Sequence, residues 1–265
     1  VLQGSIMVLG LGLSLRQVVS TGERSLPVLL GTLVVTLAVA WLAGRALRLG
    51  SGVTTLVGIG TAVCGASAIA AGEAVIGAGE ADVSYAIATI FSFNIVAVLS
   101  YPTLGHLLGL SQHAFGLWAG TAINDTSSVV AASTVFGHSA ANYGVVVKLT
   151  RTLAIIPICL ALAWRNRRAG GADRGPVDWR RVVPLFIFGF LAAVALNTAG
   201  LVPVGWHHRL SDLAAWMITA ALAAIGLSTS PGQIRRSGLR PLALGGILWA
   251  TVGVTSLALQ AATGA

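Results

Sequence analysis

Charge is scarce in this chain: only 9% of its 265 residues are Asp, Glu, Lys or Arg, against about 25% in soluble domains. An ordinary solvated surface is therefore excluded. Lysine occurs once, as Lys148, and acidic residues number eight. The two cysteines, Cys64 and Cys159, both fall inside apolar segments, which argues against a structural disulfide. HExxH, GxSxG, Walker A and CxxC patterns are all missing. With no paired carboxylates, metal cluster or nucleophile–base set either, neither enzyme chemistry nor a bound cofactor is expected.

The net charge of +8 does not point to nucleic acid. Eleven of the sixteen basic residues fall in three short stretches: Arg45 and Arg48; Arg165, Arg167, Arg168, Arg174, Arg180 and Arg181; Arg235, Arg236 and Arg240. Such blocks mark cytoplasmic loops under the positive-inside rule, not a groove interleaved with aromatics. Val1 opens inside a hydrophobic run without an initiator Met, so the expectation is an N-terminal truncation, not a signal peptide.

Apolar residues fill what charge leaves: 55% are hydrophobic and mean hydropathy is +0.86. They form runs of roughly 17–25 residues, long enough to cross a hydrocarbon core of about 30 Å. The fold class expected is all-α, a polytopic transmembrane bundle in which 1–265 form a single domain. Nine segments are expected, at 1–15, 26–44, 52–78, 83–105, 112–137, 143–164, 180–201, 209–229 and 239–263. If each crosses once, the linker at 165–181 and both other arginine clusters are cytoplasmic. Loop 79–82, with Glu80 and Asp82, then lies outside, as does the loop holding His207 and His208. Trp164, Trp179, Trp206 and Trp249 near segment ends fit an aromatic belt.

Two internal echoes stand out. GLSLRQVVSTG at 12–22 resembles GLSTSPGQIRRSG at 226–238, in opposite orientation, as in inverted-repeat transporters. GTAVCGASAIAA at 60–71 resembles GTAINDTSSVVAA at 120–132. One crossing between the members of this second pair would make both run the same way. Either one of them is re-entrant or the repeat is not a simple inversion.

The second echo carries the chemistry. Segment 52–78 accumulates six glycines, Gly52, Gly58, Gly60, Gly65, Gly72 and Gly77. They suit either close helix packing or a broken helix whose freed backbone lines a cavity. Its polar residues are Thr61, Cys64 and Ser67. In segment 112–137, Thr121, Asn124, Asp125 and Ser128 share one face if the helix is continuous. A mid-membrane carboxylate is costly unless partnered or hydrated, so Asp125 is expected to face the interior. The plainer reading pairs it with Lys148 or Arg151 to hold helices together. Those two share a helical face in 143–164, where Pro157 is expected to kink the helix. They are read either as snorkelling to the interface or as a cationic floor for an anion. Glu73 and His207–His208 are weaker candidates, as are Asn94 and Asn197, which read as interhelical hydrogen-bond donors and not as ligands.

GTAVCGASAIAA, GTAINDTSSVVAA, VKLTRT and the closing GLSTSPGQIRRSG resemble the YeiH family of bacterial inner-membrane proteins over essentially the whole chain. Members are largely uncharacterised and often labelled sulfate exporters. Some carry His and Gln where this chain has Asn124 and Ser128, so a role resting on that His does not transfer. The resemblance implies crossed discontinuous helices, distantly similar to the bile-acid-symporter and cation/proton-antiporter class. The function expected is secondary transport of a small anion, sulfate- or sulfonate-like, across the bacterial inner membrane. Coupling to H+ or Na+ would run through Asp125. The alternative is a cation/proton antiporter using Asn124 and Asp125 as the ion site. The partners expected are lipid and the anion, with homo-oligomerisation open and nucleic acid excluded.

Overall fold

The computed structural model describes residues 2–168, 186–206 and 238–264, with isolated positions between 209 and 220. Apart from a 3-10 turn at Val204–Trp206, the elements there are α-helices, and no strand occurs among the described residues. They are α1 (Leu2–Gly10), α2 (Leu15–Ala46), α3 (Ser51–Ala62), α4 (Ala66–Ile76), α5 (Glu80–Leu107) and α6 (Gln112–Ala122). After them come α7 (Thr126–Phe136), α8 (His138–Thr152), α9 (Ile155–Arg168), α10 (Phe186–Thr198) and α11 (Leu239–Thr263).

Among the described residues, four helical stretches are long and apolar enough to span a membrane: Leu15–Ala46, Glu80–Leu107, His138–Asn166 and Leu239–Thr263. The third is α8 and α9 in sequence, interrupted at 153–154. Pro157 accounts for the interruption, because its ring collides with the carbonyl four residues earlier. At the other end of the chain, the expected loop at 16–25 is helical. Ser14 and Gln17 form a capping box, which satisfies free amides and lets α2 begin before its apolar stretch does.

Segments 52–78 and 112–137 are where the structure departs most from the expected nine crossings. Each is a pair of half-length helices folded back on itself. α6 and α7 have 11 residues apiece, about 17 Å at 1.5 Å per residue, which is half a bilayer core. The far end of α7 returns to the start of α6: Phe136 stacks on Phe115 with centroids 3.8 Å apart. Just past it, Ser139 N donates to Gln112 Oε1 at 2.9 Å. In the first copy, Ile69 lies against Gly60, and Gly72 against Ile59 and Leu56, so α4 runs back along α3. Ser51, Gly52 and residues 76–79 then share one cleft with Arg165. Both segments are re-entrant hairpins. Neither crosses.

This settles the sidedness of the repeat. The first hairpin opens on the face that holds Asp82 and Arg165, α5 crosses to the other face, and the second hairpin opens there. The two are therefore inverted. It also corrects the placement of 79–82: Glu80 and Asp82 begin α5 on the same face as Arg165, not opposite it. The positive-inside rule assigns that face to the cytoplasm. Most of the linker at 165–181, the segment at 209–229, His207–His208 and the second copy of the GLS echo lie outside the described residues.

Small residues let these elements approach closely. A methyl at Gly120 would sit 2.8 Å from Val147 Cβ and 2.9 Å from the Gly144 carbonyl, so α6 and α8 are nearly in backbone contact. Behind α6, Tyr101 of α5 stacks on Trp118 at 4.1 Å, and Trp118 Nε1 donates to Gly253 O of α11 at 3.0 Å. The hairpins thus pack among α5, α8 and α11.

Candidate functional site

The two hairpin tips meet. A side chain at Gly65 would start 3.4 Å from Asp125 Cβ and 3.5 Å from Asn124 O. Gly65 and Asp125 occupy equivalent positions in the two GTA copies. The copies turn by different means. Gly65 has φ 66 and ψ −126, a region open in practice only to glycine. In the second copy Ile123 is extended, and Asp125 caps α7 by accepting from Ser127 N at 3.0 Å. The polar run INDTSS is thus, first of all, the N-cap chemistry of a helix that restarts at mid-bundle.

One basic pair serves both tips. Lys148 Nζ donates to Val63 O and to Ile123 O, each at 2.8 Å. Arg151 donates through one terminal nitrogen to Thr61 O at 3.1 Å and through the other to Thr121 O. Thr61 and Thr121 are equivalent, as are Val63 and Ile123, so each cation binds the same carbonyl of both copies. A helix leaves its last four carbonyls without intrahelical partners and carries about half a negative charge at that end. The pair answers both needs for α3 and α6 at once. Lys148 is 0% exposed and Arg151 2%, so neither snorkels, and all four bonds end on backbone, not on Asp125.

On the opposite side of the tips, Asn94 at the middle of α5 accepts from Asn124 N at 3.2 Å and Asp125 N at 3.3 Å. Asp125 is half-buried, and its carboxylate also takes the Ser127 hydroxyl. Four buried polar atoms around the tips have no hydrogen-bond partner among the described residues: Thr61 Oγ1, Asn94 Nδ2, Asn124 Oδ1 and Arg151 Nε. Buried groups that the chain leaves unmatched are ordinarily met by ordered water, an ion or a ligand.

Of the residues singled out from sequence, Thr61, Cys64, Thr121, Asn124, Asp125, Lys148 and Arg151 gather at the tips. Thr121 Oγ1 reaches Ser256 Oγ of α11 at 2.6 Å, and Gln260 continues that line to Ser256 at 3.2 Å. Ser67 is exposed and Ser128 half-buried, one turn beyond the tips. The single helical face drawn through Thr121, Asn124, Asp125 and Ser128 does not exist, because the helix stops at Ala122 and restarts at Thr126. Asn94, rated weak, holds the second tip. Ser256 and Gln260 were missed, although polar residues at i and i+4 in an apolar helix were a readable signal. Asn197, also rated weak, ties α10 to Leu13 O at 3.1 Å, away from the tips.

Known proteins match nearly the whole of this chain. The family described as conserved hypothetical protein 698 matches residues 1–245. A UPF0324 membrane protein of Streptococcus mutans is 39% identical over 272 residues, covering 98% of this chain and 80% of the relative. The chain belongs to the UPF0324 family. Further UPF0324 membrane proteins, from Streptococcus pyogenes serotype M6 and Streptococcus pneumoniae serotype 4, are each 41% identical, covering 99–100% of this chain and 80% of theirs. This is the family that the GTA and VKLTRT motifs resemble. No solved structure matches the chain. The UPF0324 relatives are named membrane proteins, in keeping with the spans described above.

Proposed function

We propose that this UPF0324 member is a secondary active transporter of a small oxyanion, sulfate- or sulfonate-like, in the bacterial inner membrane. The observation that carries the reading is the Lys148–Arg151 pair buried between two inverted hairpin tips. Two helix C-termini and two N-termini meet there, and their partial charges of about one half each cancel. Lys148 and Arg151 then stand against Asp125 alone, leaving a net positive centre. Donors remain for a ligand, since Lys has three N–H groups and Arg five, and Arg151 Nε has no partner among the described residues. Inverted repeats that meet at mid-membrane also suit alternating access from either face.

Asp125 is the coupling group in this reading, taking H+ or Na+ as the anion moves. A cation/proton antiporter is the second reading, favoured by Asn124 Oδ1, which lies beside that carboxylate and has no hydrogen-bond partner among the described residues. Flux separates them. In proteoliposomes, the first reading expects labelled sulfate or a small sulfonate to exchange, with flux lost in Lys148→Gln. Cation-driven proton movement without anion flux would replace it with the second.

A further inference from the structure

At the mouth of the second hairpin, on the face opposite the arginine clusters, lies a cleft of about 290 Å³ between α2, α6 and α8. All its lining residues except Leu13 and Val146 carry a polar group, and none is a carboxylate. Arg24 is the fixed charge. Ser20 and Thr21 of α2 and Asn142 and Tyr143 of α8 surround it. His113 of α6 closes the third side, its ring 5.1 Å from that of Tyr143 in an edge contact. α2 has 32 residues, about 48 Å at 1.5 Å per residue, so its first turns project beyond a core of about 30 Å. The cleft is therefore wet, and a cation there is not compensated by burial against backbone as Lys148 is.

The fold does not require this chemistry. The equivalent cleft at the mouth of the first hairpin, about 350 Å³, is lined by both Arg165 and Asp82 and so carries both signs. Of the two hairpin mouths, the far one holds a cation without an acid in its described lining. Arg presents a planar fork suited to oxyanions, and hydroxyl and amide donors ring it.

We propose that this far-face cleft is a second anion site, separate from the hairpin tips, which holds a small hydrated oxyanion on Arg24 at the entrance. It stands on its own lining and does not rest on the transport reading.

Cysteine accessibility tests it without any flux measurement. Native Cys64 and Cys159 are buried, so Ser139→Cys, in the cleft wall, supplies the reactive thiol. The probes are a sulfonate-bearing and a trimethylammonium-bearing methanethiosulfonate of similar size, with inorganic sulfate as the competing anion at constant ionic strength. The anionic reagent should react faster, sulfate should slow it, and Arg24→Gln should abolish the protection and lower the anionic-to-cationic rate ratio about tenfold. Arg24→Lys should restore the ratio. Ser51→Cys, in the mixed-sign cleft, should show neither effect. A ratio at Ser139→Cys unchanged by Arg24→Gln, or sulfate protection equal at both cysteines, overturns the proposal. Lys148→Gln should leave the Ser139→Cys protection intact. Flux lost in that variant bears on the central site alone.

Discussion

Replacing Lys148 by Gln separates its two jobs, holding the tips and supplying charge. The ammonium spends two of its three donors on Val63 O and Ile123 O, which leaves one for a bound anion. At a charge separation of about 4 Å and an effective dielectric of about 20, that attraction is about 4 kcal/mol. Water and Asp125 at the tips reduce it, and about half is a reasonable working figure. About 2 kcal/mol is a thirtyfold loss of affinity, since about 1.4 kcal/mol is tenfold. A Gln amide can still donate two hydrogens, so the carbonyls keep partners, though with neutral bonds worth about half as much. The expected outcome is a protein that folds and inserts, melts a few degrees lower, and binds sulfate or a small sulfonate at least tenfold more weakly. Lys148→Arg should keep most of the affinity. Competition binding on purified protein, beside a thermal melt in detergent, measures both quantities. A Lys148→Gln protein that melts lower but binds the anion with unchanged affinity would refute the reasoning and leave the lysine as a helix cap only.

Asp125→Asn keeps an N-cap of equal quality, so stability should hold while dependence on pH or sodium disappears from transport assays. Asp125→Ala should in addition cost about 1 kcal/mol in a denaturation experiment. Gly65→Ala has room, with its nearest neighbours at 3.4–3.5 Å, but demands a backbone state that alanine avoids. A loss of about 1–3 kcal/mol is expected, and a neutral melt would mean that the tip is not held as described. Gly79→Cys should react with impermeant thiol reagents only from the cytoplasmic face, and Ser139→Cys only from the opposite one. Labelling of both from the same face would undo the assignment of hairpins to opposite faces.

Hydropathy measures how much apolar chain is available, not which way it travels. A run of 27 residues with glycines at its middle has the same composition whether it crosses or turns back, so 52–78 read as a span. What could be read was the glycine excess and the polar run in its partner, and both mark the interruptions. The helical-face argument failed because it carried a 100° step through Ile123 and Asp125, which are extended cap residues. The spacing of Lys148 and Arg151 correctly put them on one face. Their partners were not legible, since a backbone carbonyl has no sequence signature and these become acceptors only once two helices end beside α8. Asn94 was legible as an interhelical donor. In the structure its carbonyl accepts instead, a role set by the second hairpin restarting opposite it.

The shared anchor on α8 also limits how the molecule can deform. Two side chains one turn apart rivet four carbonyls from two hairpins to a single helix. At about 1.5–3 kcal/mol for each charge-assisted bond, prising either hairpin away from α8 and the other would break two of the four and forfeit about 3–6 kcal/mol. Turning them together with α8, against the long spans around them, breaks none of the four. The soft coordinate is therefore the displacement of one stiff block past its surroundings, and the hairpins have lost the freedom to gape independently.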